Sequence, residues 1–232
     1  AADRIAAVAT PALIAQSAPF MASILDGYSA MRIHVLVRFG RWDELIDLPE
    51  PKEPSLRPIG VAMHAYGRGV ALAALGRIEE AKTAQGAFAD AVAAIPPDAI
   101  FLSNTVHDML AIGAAMLDGE LAYREGNHDH AFASLRLAVA RDDGLNYTEP
   151  WAWMQPTRHA LGALLMEQKH YEEAEAVYRA DLGLDDTLRR PCQHPDNVWS
   201  LHGLHECLVR RGEKGEARII KQRFDLASAR CD

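Results

Sequence analysis

The stretch ALAALGRIEEA, residues 71–81, decides the fold of this chain. An apolar run ends at a small turn residue, Gly76, and a second run opens with charged residues around Ala81. The pattern returns in LVRFGRWDEL (36–45), LAYREGNHDHA (121–131), ALLMEQKHYEEA (163–174) and CLVRRGEKGEA (207–217). Such repetition predicts an array of helical hairpins, each of which buries its apolar face against its neighbours.

The spacing of the turns shows where extra chain is inserted. The turn residues are Gly40, Gly76, Gly126, Lys169 and Gly212, which lie 36, 50, 43 and 43 residues apart. A minimal helical-hairpin repeat takes about 34 residues, so the excess falls between one hairpin and the next. We expect these inserts to share one edge of the array, and loops of that length are often functional.

The sequence predicts five hairpins after a short helical lead-in. Residues 1–19 form the lead-in, a pair of short helices broken before Pro11 and Pro19, and residues 20–232 form the repeat array. The predicted helix pairs are 20–38 with a short helix from Arg41, 59–75 with 78–94, 105–124 with 128–140, 157–168 with 171–182, and 197–211 with 214–228. The predicted fold is therefore an all-α, right-handed superhelical solenoid.

Composition excludes several classes of partner. The net charge of −8 disfavours binding to a nucleic-acid backbone, which needs a basic surface. The uncharged stretch 5–25 is long enough to span a bilayer, but its prolines and its alanine-rich composition favour short buried helices. Three cysteines are too few for a disulfide framework, which indicates a reducing compartment, the cytoplasm.

The repeats resemble the tetratricopeptide repeat (TPR) family. The matching residues are Leu161, Gly162, Ala174 and Tyr178 in hairpin four, Gly69, Leu72 and Ala81 in hairpin two, and Gly119 and Ala131 in hairpin three. Ile33 and His205 depart from the pattern, because the family places a small glycine there. More narrowly, RFGRWDEL, PTRHALGALL and HPDNVWSLHGL resemble the C-terminal part of longer, uncharacterised microbial repeat proteins. That second resemblance implies further repeats upstream and a truncated start.

The TPR resemblance implies a concave groove lined by the first helix of each hairpin. Its geometry projects these residues into the groove: His34, Arg38, Tyr66, Glu120, Tyr123, Arg124, His159, Trp199, His202 and Glu206. We expect the groove to bind a peptide or protein partner, since recognition is the common use of the fold. We also expect either a homo-oligomer or docking of missing N-terminal repeats, and no nucleic-acid or membrane partner.

The histidines and carboxylates of this groove support a second interpretation, a small-molecule enzyme or a metal-binding protein. His202 and Glu206 lie four residues apart on one helix face, while His159 and Glu120 come from preceding repeats. Imidazoles and carboxylates suit a divalent metal or acid–base catalysis. The same groups could instead only hydrogen-bond between stacked helices. No cofactor is otherwise expected, because no nucleotide-binding motif is present.

A zinc site is a weaker possibility in the last hairpin. The residues concerned are Cys192, His194, His202, His205 and Cys207, but no CxxC pair occurs among them. Cys207 is most simply a buried small residue.

Overall fold

The computed structural model describes residues 2–231 and is mostly helical, which confirms the all-α prediction. The chain divides into two compact units, Ala1–Gln155 and Pro156–Asp232. The helices of the first unit are α1 Ala2–Val8, α2 Pro11–Gln16, α3 Pro19–Ser29, α4 Met31–Arg38, α5 Trp42–Ile46, α6 Pro58–Ala74, α7 Ile78–Ala93, α8 Val106–Arg124 and α9 His128–Gly144. Those of the second are α10 Thr157–Glu167, α11 Tyr171–Leu182, α12 Val198–Arg211 and α13 Lys214–Ser228.

The five hairpin turns share one backbone conformation. The turn residues Gly40, Gly76, Gly126, Lys169 and Gly212 all have positive φ, at 61°, 74°, 80°, 64° and 82°. In each turn the residue after the turn residue donates its N–H to a carbonyl near the end of the first helix. Arg77 donates to the Leu72 carbonyl at 2.8 Å, and His170 donates to the Leu165 carbonyl at 2.9 Å. This left-handed cap satisfies helix carbonyls that would otherwise lack a partner. The turns predicted from the sequence are thus confirmed.

Small residues allow the paired helices to approach closely. Ala81, Ala131 and Ala174 are fully buried four residues into the second helix of their hairpins. A Cβ added at Gly69 would lie 2.9 Å from Leu117, and one at Gly119 would lie 2.8 Å from Leu135. These separations are shorter than ordinary carbon contacts of about 3.5–4.0 Å, so a larger residue at either position would displace the facing leucine side chain.

A hydrophobic core of the first unit runs from α4 to α9, and a smaller separate cluster lies around Leu72, Ala81 and Leu121. Helix α6 packs on both α7 and α8, and α8 packs on α9. Met63, Leu110 and Ile112 lie at the centre of this core and are almost completely buried. A two-stranded antiparallel ribbon, β1 Ile100–Phe101 with β2 Asn104–Thr105, precedes α8 and packs against α3.

The second unit is organised around Tyr178. Helix α11 contacts α10 and α12, and α12 contacts α13. A Cβ at Gly162 would lie 2.6 Å from the Tyr178 ring, and one at Gly203 would lie 2.2 Å from it. The ring therefore fills the space left by a glycine on α10 and a glycine on α12. Arg179, the next residue, donates two hydrogen bonds to Glu216 at 2.8 and 2.7 Å, which links α11 to α13.

Two helices differ from those predicted by more than one residue at a boundary. The helix predicted over 20–38 breaks at Ala30, because the Ser29 hydroxyl donates to the Asp26 carbonyl at 2.6 Å and the Ala30 N–H turns to Gly27 instead. Helix α9 continues through Gly144, beyond the predicted end at residue 140. Residues 2–16 of the predicted lead-in form the two short helices α1 and α2, but Ile14 is the one buried residue in them, so these helices are less buried than expected.

The uncharged stretch 5–25 does not form one long helix. It is divided among α1, α2 and α3, with breaks at Thr10 and Ala18. Between residues 2 and 231, no helix has both the length and the apolar character needed to cross a membrane.

Candidate functional site

Two of the predicted groove residues belong to a buried aromatic cluster of the first unit. The rings of His34 and Tyr66 meet the Trp153 ring edge-to-face, with centroids 4.8 and 5.4 Å away. His34 is 7% exposed, and neither its Nδ1 nor the Nε1 of Trp153 has a hydrogen-bond partner in the structure. Burial lowers the pKa of His34 to about 4, so its imidazole is neutral near pH 7.

The remaining predicted residues of the first unit lie near the ends of α4 and α8. Arg38 is the last residue of α4 and is half-buried. The Glu120 carboxylate pairs with Arg124 at 2.8 Å, while the Tyr123 ring stacks on His128 with centroids 4.9 Å apart.

Burial, with a smaller contribution from the charge of Glu120, raises the pKa of Tyr66 above its usual range, so this phenol stays protonated.

The second unit contains a buried polar network centred on Asp181. Its carboxylate lies 3.1 Å from Nε2 of His159 and 2.7 Å from Nδ1 of His194. The Ser200 hydroxyl and the Asn197 amide donate to the same carboxylate at 2.6 and 2.8 Å. Asp181 is fully buried, so every one of these bonds forms in a region of low dielectric.

This network keeps Asp181 ionised. Burial acts to raise the pKa of its carboxyl, but hydrogen bonds and positive charge from His159 and His194 outweigh burial and hold the pKa well below its usual range. An ionised carboxylate only accepts hydrogen bonds, so His159 donates from Nε2 and His194 donates from Nδ1. The carboxylate thereby fixes the orientation of two imidazoles, an arrangement that suits acid–base chemistry as well as structural support.

The network also ties the segment after α11 back to that helix. The His194 N–H donates to the Asp181 carbonyl at 2.6 Å, and the Asn197 side chain caps α12 by accepting the Ser200 N–H at 2.9 Å. One buried residue therefore positions the start of α12, which carries Trp199.

The predicted residues of α12 have separate contacts. The Trp199 ring is 42% exposed and stacks on His159, with centroids 6.2 Å apart and an interplanar angle of 15°. His202 is exposed and meets Phe224 of α13 edge-to-face at 5.3 Å, whereas Glu206 lies near His205 at 3.7 Å. Of the predicted second-unit residues, the structure thus brings Trp199 to His159 and places His202 against α13.

No metal centre is assembled in the described part of the chain. Residues 2–231 contain no group of three or more His, Cys, Asp or Glu side chains arranged to hold a metal ion. Cys192 and Cys207, which the zinc interpretation takes as ligands, form no disulfide within the described residues. Cys207 is buried, as expected, and its thiol contacts the Tyr171 carbonyl at 2.8 Å.

Sequence reasoning missed Asp181, the centre of the network. Tyr178 and Ala174 lie three and seven residues before it, so Asp181 falls on the buried face of its helix. A carboxylate on an apolar face needs partners, and this was the available signal. His194 was considered only as a zinc ligand, because its segment has no periodicity that would place it.

The chain matches no family model, no curated protein and no solved structure with which it was compared.

Proposed function

We propose that this chain is a TPR-like, right-handed superhelical scaffold that binds a peptide or protein segment on the first helices of its hairpins. The observation that carries the proposal is the repetition of one turn conformation at Gly40, Gly76, Gly126, Lys169 and Gly212. Stacked hairpins of this kind present long surfaces whose common use is recognition. The inference to recognition rests on fold-level analogy.

The second unit offers the best anchor for such a partner. Trp199 has a large, partly exposed ring that stacks on His159, and His159 in turn is hydrogen-bonded to the buried Asp181. These contacts hold the Trp199 ring in position. A rigid, partly exposed aromatic side chain loses little conformational freedom on binding and is typical of interface hot spots. The buried residues His34, Tyr66 and Tyr123 would support the surface and would not contact the partner directly.

The experiment is selection of peptides from an unbiased display library against the intact chain. Enriched peptides should bind Trp199→Ala at least about tenfold more weakly, as for a hot-spot residue. Val209→Ala is the matched control, because Val209 is a 50% exposed apolar residue of the same helix. Failure to enrich any peptide, or equal binding by Trp199→Ala, would contradict the proposal.

One observation favours a second candidate function, a small-molecule enzyme or metal-binding protein. A buried carboxylate that fixes two imidazoles, as Asp181 does for His159 and His194, is also found in acid–base sites. Elemental analysis and native mass spectrometry of the purified chain test this candidate. Neither stoichiometric metal nor a bound metabolite would be expected if the scaffold proposal is right.

We further propose that this scaffold works in the cytoplasm, which is supported by the small number of cysteines and by the lack of a disulfide among the described residues. A homo-oligomer, or docking of additional repeats, is the corresponding proposal for its assembly.

A further inference from the structure

A cavity of about 540 Å³ opens in the first unit between α3, the start of α6 and the segment before α8. Phe20, Ile95, Ile100 and Val106 are among its apolar wall residues. Phe20 is 55% exposed and Ile100 is 40% exposed, so two large apolar side chains face solvent at one site. The volume falls within the range of about 300–1,000 Å³ that is typical of small-molecule sites.

Two carboxylates line this cavity. Asp26 is 1% exposed and accepts the N–H groups of Ile59 and Gly60 at 2.7 and 3.1 Å, which caps the start of α6. Asp98 belongs to the segment after α7 and is exposed. Each Asp26 oxygen accepts one of these bonds and keeps a further lone pair, since a carboxylate has about four acceptor sites.

The cavity lining offers acceptors and few donors. In the part of the chain that the structure describes, none of the lining side chains is Lys, Arg or His. The Ser23 hydroxyl already donates to the Ile100 carbonyl at 2.6 Å, and the lining residues Pro19 and Pro58 have no N–H to donate. Arg57 lies close enough to act on Asp26 but outside the lining, and its guanidinium donates to the Ala9 carbonyl.

We propose that this cavity binds an apolar amine, with the ammonium group beside Asp26 and Asp98 and the hydrocarbon body against Phe20 and Ile100. Both features of the lining point to this class, because a donor-only cation complements an acceptor-rich lining that contains two carboxyl groups. The hydrocarbon body would cover the exposed apolar walls. A carboxylic acid or a phosphate would meet two carboxyl groups and no Lys, Arg or His side chain in the lining.

The helix cap alone explains only part of this arrangement. It accounts for the two hydrogen bonds of Asp26, but neither for Asp98 at the same cavity nor for the exposed Phe20 and Ile100. Burial raises the pKa of Asp26 to about 7, against lowering by the two N–H groups and by Arg57. A bound ammonium group would stabilise the ionised form of this carboxyl and lower its pKa.

The experiment compares three probes of equal length by isothermal titration calorimetry on the intact chain: 4-phenylbutylamine, 4-phenylbutanol and 4-phenylbutyrate. We expect the amine to bind about tenfold or more tightly than the alcohol, since hydrogen bonds between charged groups are the stronger ones. We expect no measurable binding of the acid. Equal binding of amine and alcohol would overturn the proposal, because the carboxylates would then contribute nothing.

Variants locate the site without depending on the helix cap. Asp98→Asn should weaken the amine several-fold and leave the alcohol unchanged, whereas Asp90→Asn, an exposed carboxylate on α7 outside the cavity, should change neither. Phe20→Ala should weaken the amine and the alcohol alike, and its high exposure makes misfolding of this variant unexpected. Amine binding that survives both Asp98→Asn and Phe20→Ala would show that the amine binds elsewhere and would refute the site.

Discussion

Replacement of Gly203 by alanine tests the packing of the second unit most directly. Its new Cβ would lie 2.2 Å from Cζ of Tyr178, a ring that is 4% exposed and already meets Gly162. The ring would have to move by more than about 1 Å to restore a normal carbon contact. Overpacking of this kind lowers the free energy of unfolding by about 1–3 kcal/mol, and we expect a loss near about 3 kcal/mol for so short a contact. The higher helix propensity of alanine offsets about 1 kcal/mol, so we expect a net loss of about 2 kcal/mol.

The assay is urea unfolding followed by circular dichroism at 222 nm. The matched control is Gly86→Ala on α7, where an added Cβ meets nothing within 4 Å. This control should gain up to about 1 kcal/mol from helix propensity alone. The two variants therefore make the same chemical change and should shift the urea midpoint in opposite directions.

A double-mutant cycle assigns the loss to the Tyr178 ring. In a Tyr178→Ala background the clash is absent, so Gly203→Ala should become neutral or stabilising, with a coupling energy of about 2–3 kcal/mol. Gly162→Ala and Gly203→Ala should be less than additive, since both displace the same ring. If Gly203→Ala is as stable as Gly86→Ala in the otherwise unchanged chain, the close packing described here is incorrect.

Three further predictions concern single residues. Asp181→Asn should lower the free energy of unfolding in urea at pH 7 by about 3 kcal/mol, because a buried charged network loses its centre. The control Asp186→Asn changes an exposed carboxylate and should have little effect. Since folding lowers the pKa of Asp181, its contribution to stability is present above pH 4 and is lost as the pH falls further. Lys169→Gly should raise the thermal midpoint, with a gain of about 1 kcal/mol, because Lys169 has a φ of 64° where the other four turns have glycine; the reverse change, Gly126→Lys, should lower it. Folding raises the pKa of Asp26 from 3.8 to about 7, so its contribution to the free energy of unfolding is greatest below pH 4 and declines as the pH rises to 7. Urea midpoints of Asp26→Asn measured between pH 4 and 7 should lack this decline.

The sequence predicted the hairpins well because their determinants are local. A glycine after an apolar run, followed five residues later by alanine, specifies a left-handed cap and a close helix contact within about ten residues. The turns at Gly76 and Gly126, and the second helices Tyr171–Leu182 and Lys214–Ser228, are where the sequence placed them. The break at Ala30 was not foreseen, because it depends on a hydroxyl-to-carbonyl bond from Ser29 that competes with the helix.

The candidate site could be predicted only in part, because its contacts join residues distant in sequence. His159 and Trp199 were identified through repeat geometry, but Asp181 lies 22 residues after His159 and 13 before His194. Helical periodicity indicates that Asp181 lies on the buried face of its helix, but it does not indicate which side chains donate hydrogen bonds to it. The four-residue spacing places His202 and Glu206 on one helix face, but the sequence does not show that His202 contacts Phe224.

The shared turn conformation has a consequence for how this chain could change in length. Each hairpin turn is closed by a backbone hydrogen bond within six residues, such as Arg77 N–H to the Leu72 carbonyl, so it does not depend on the segment that leads to the next hairpin. A duplication or deletion whose ends fall in two of those leading segments would transfer a complete hairpin with its turn intact. The differences between hairpins would then lie in the segments that join them, such as the segment with Asp98 at the cavity and the segment with His194.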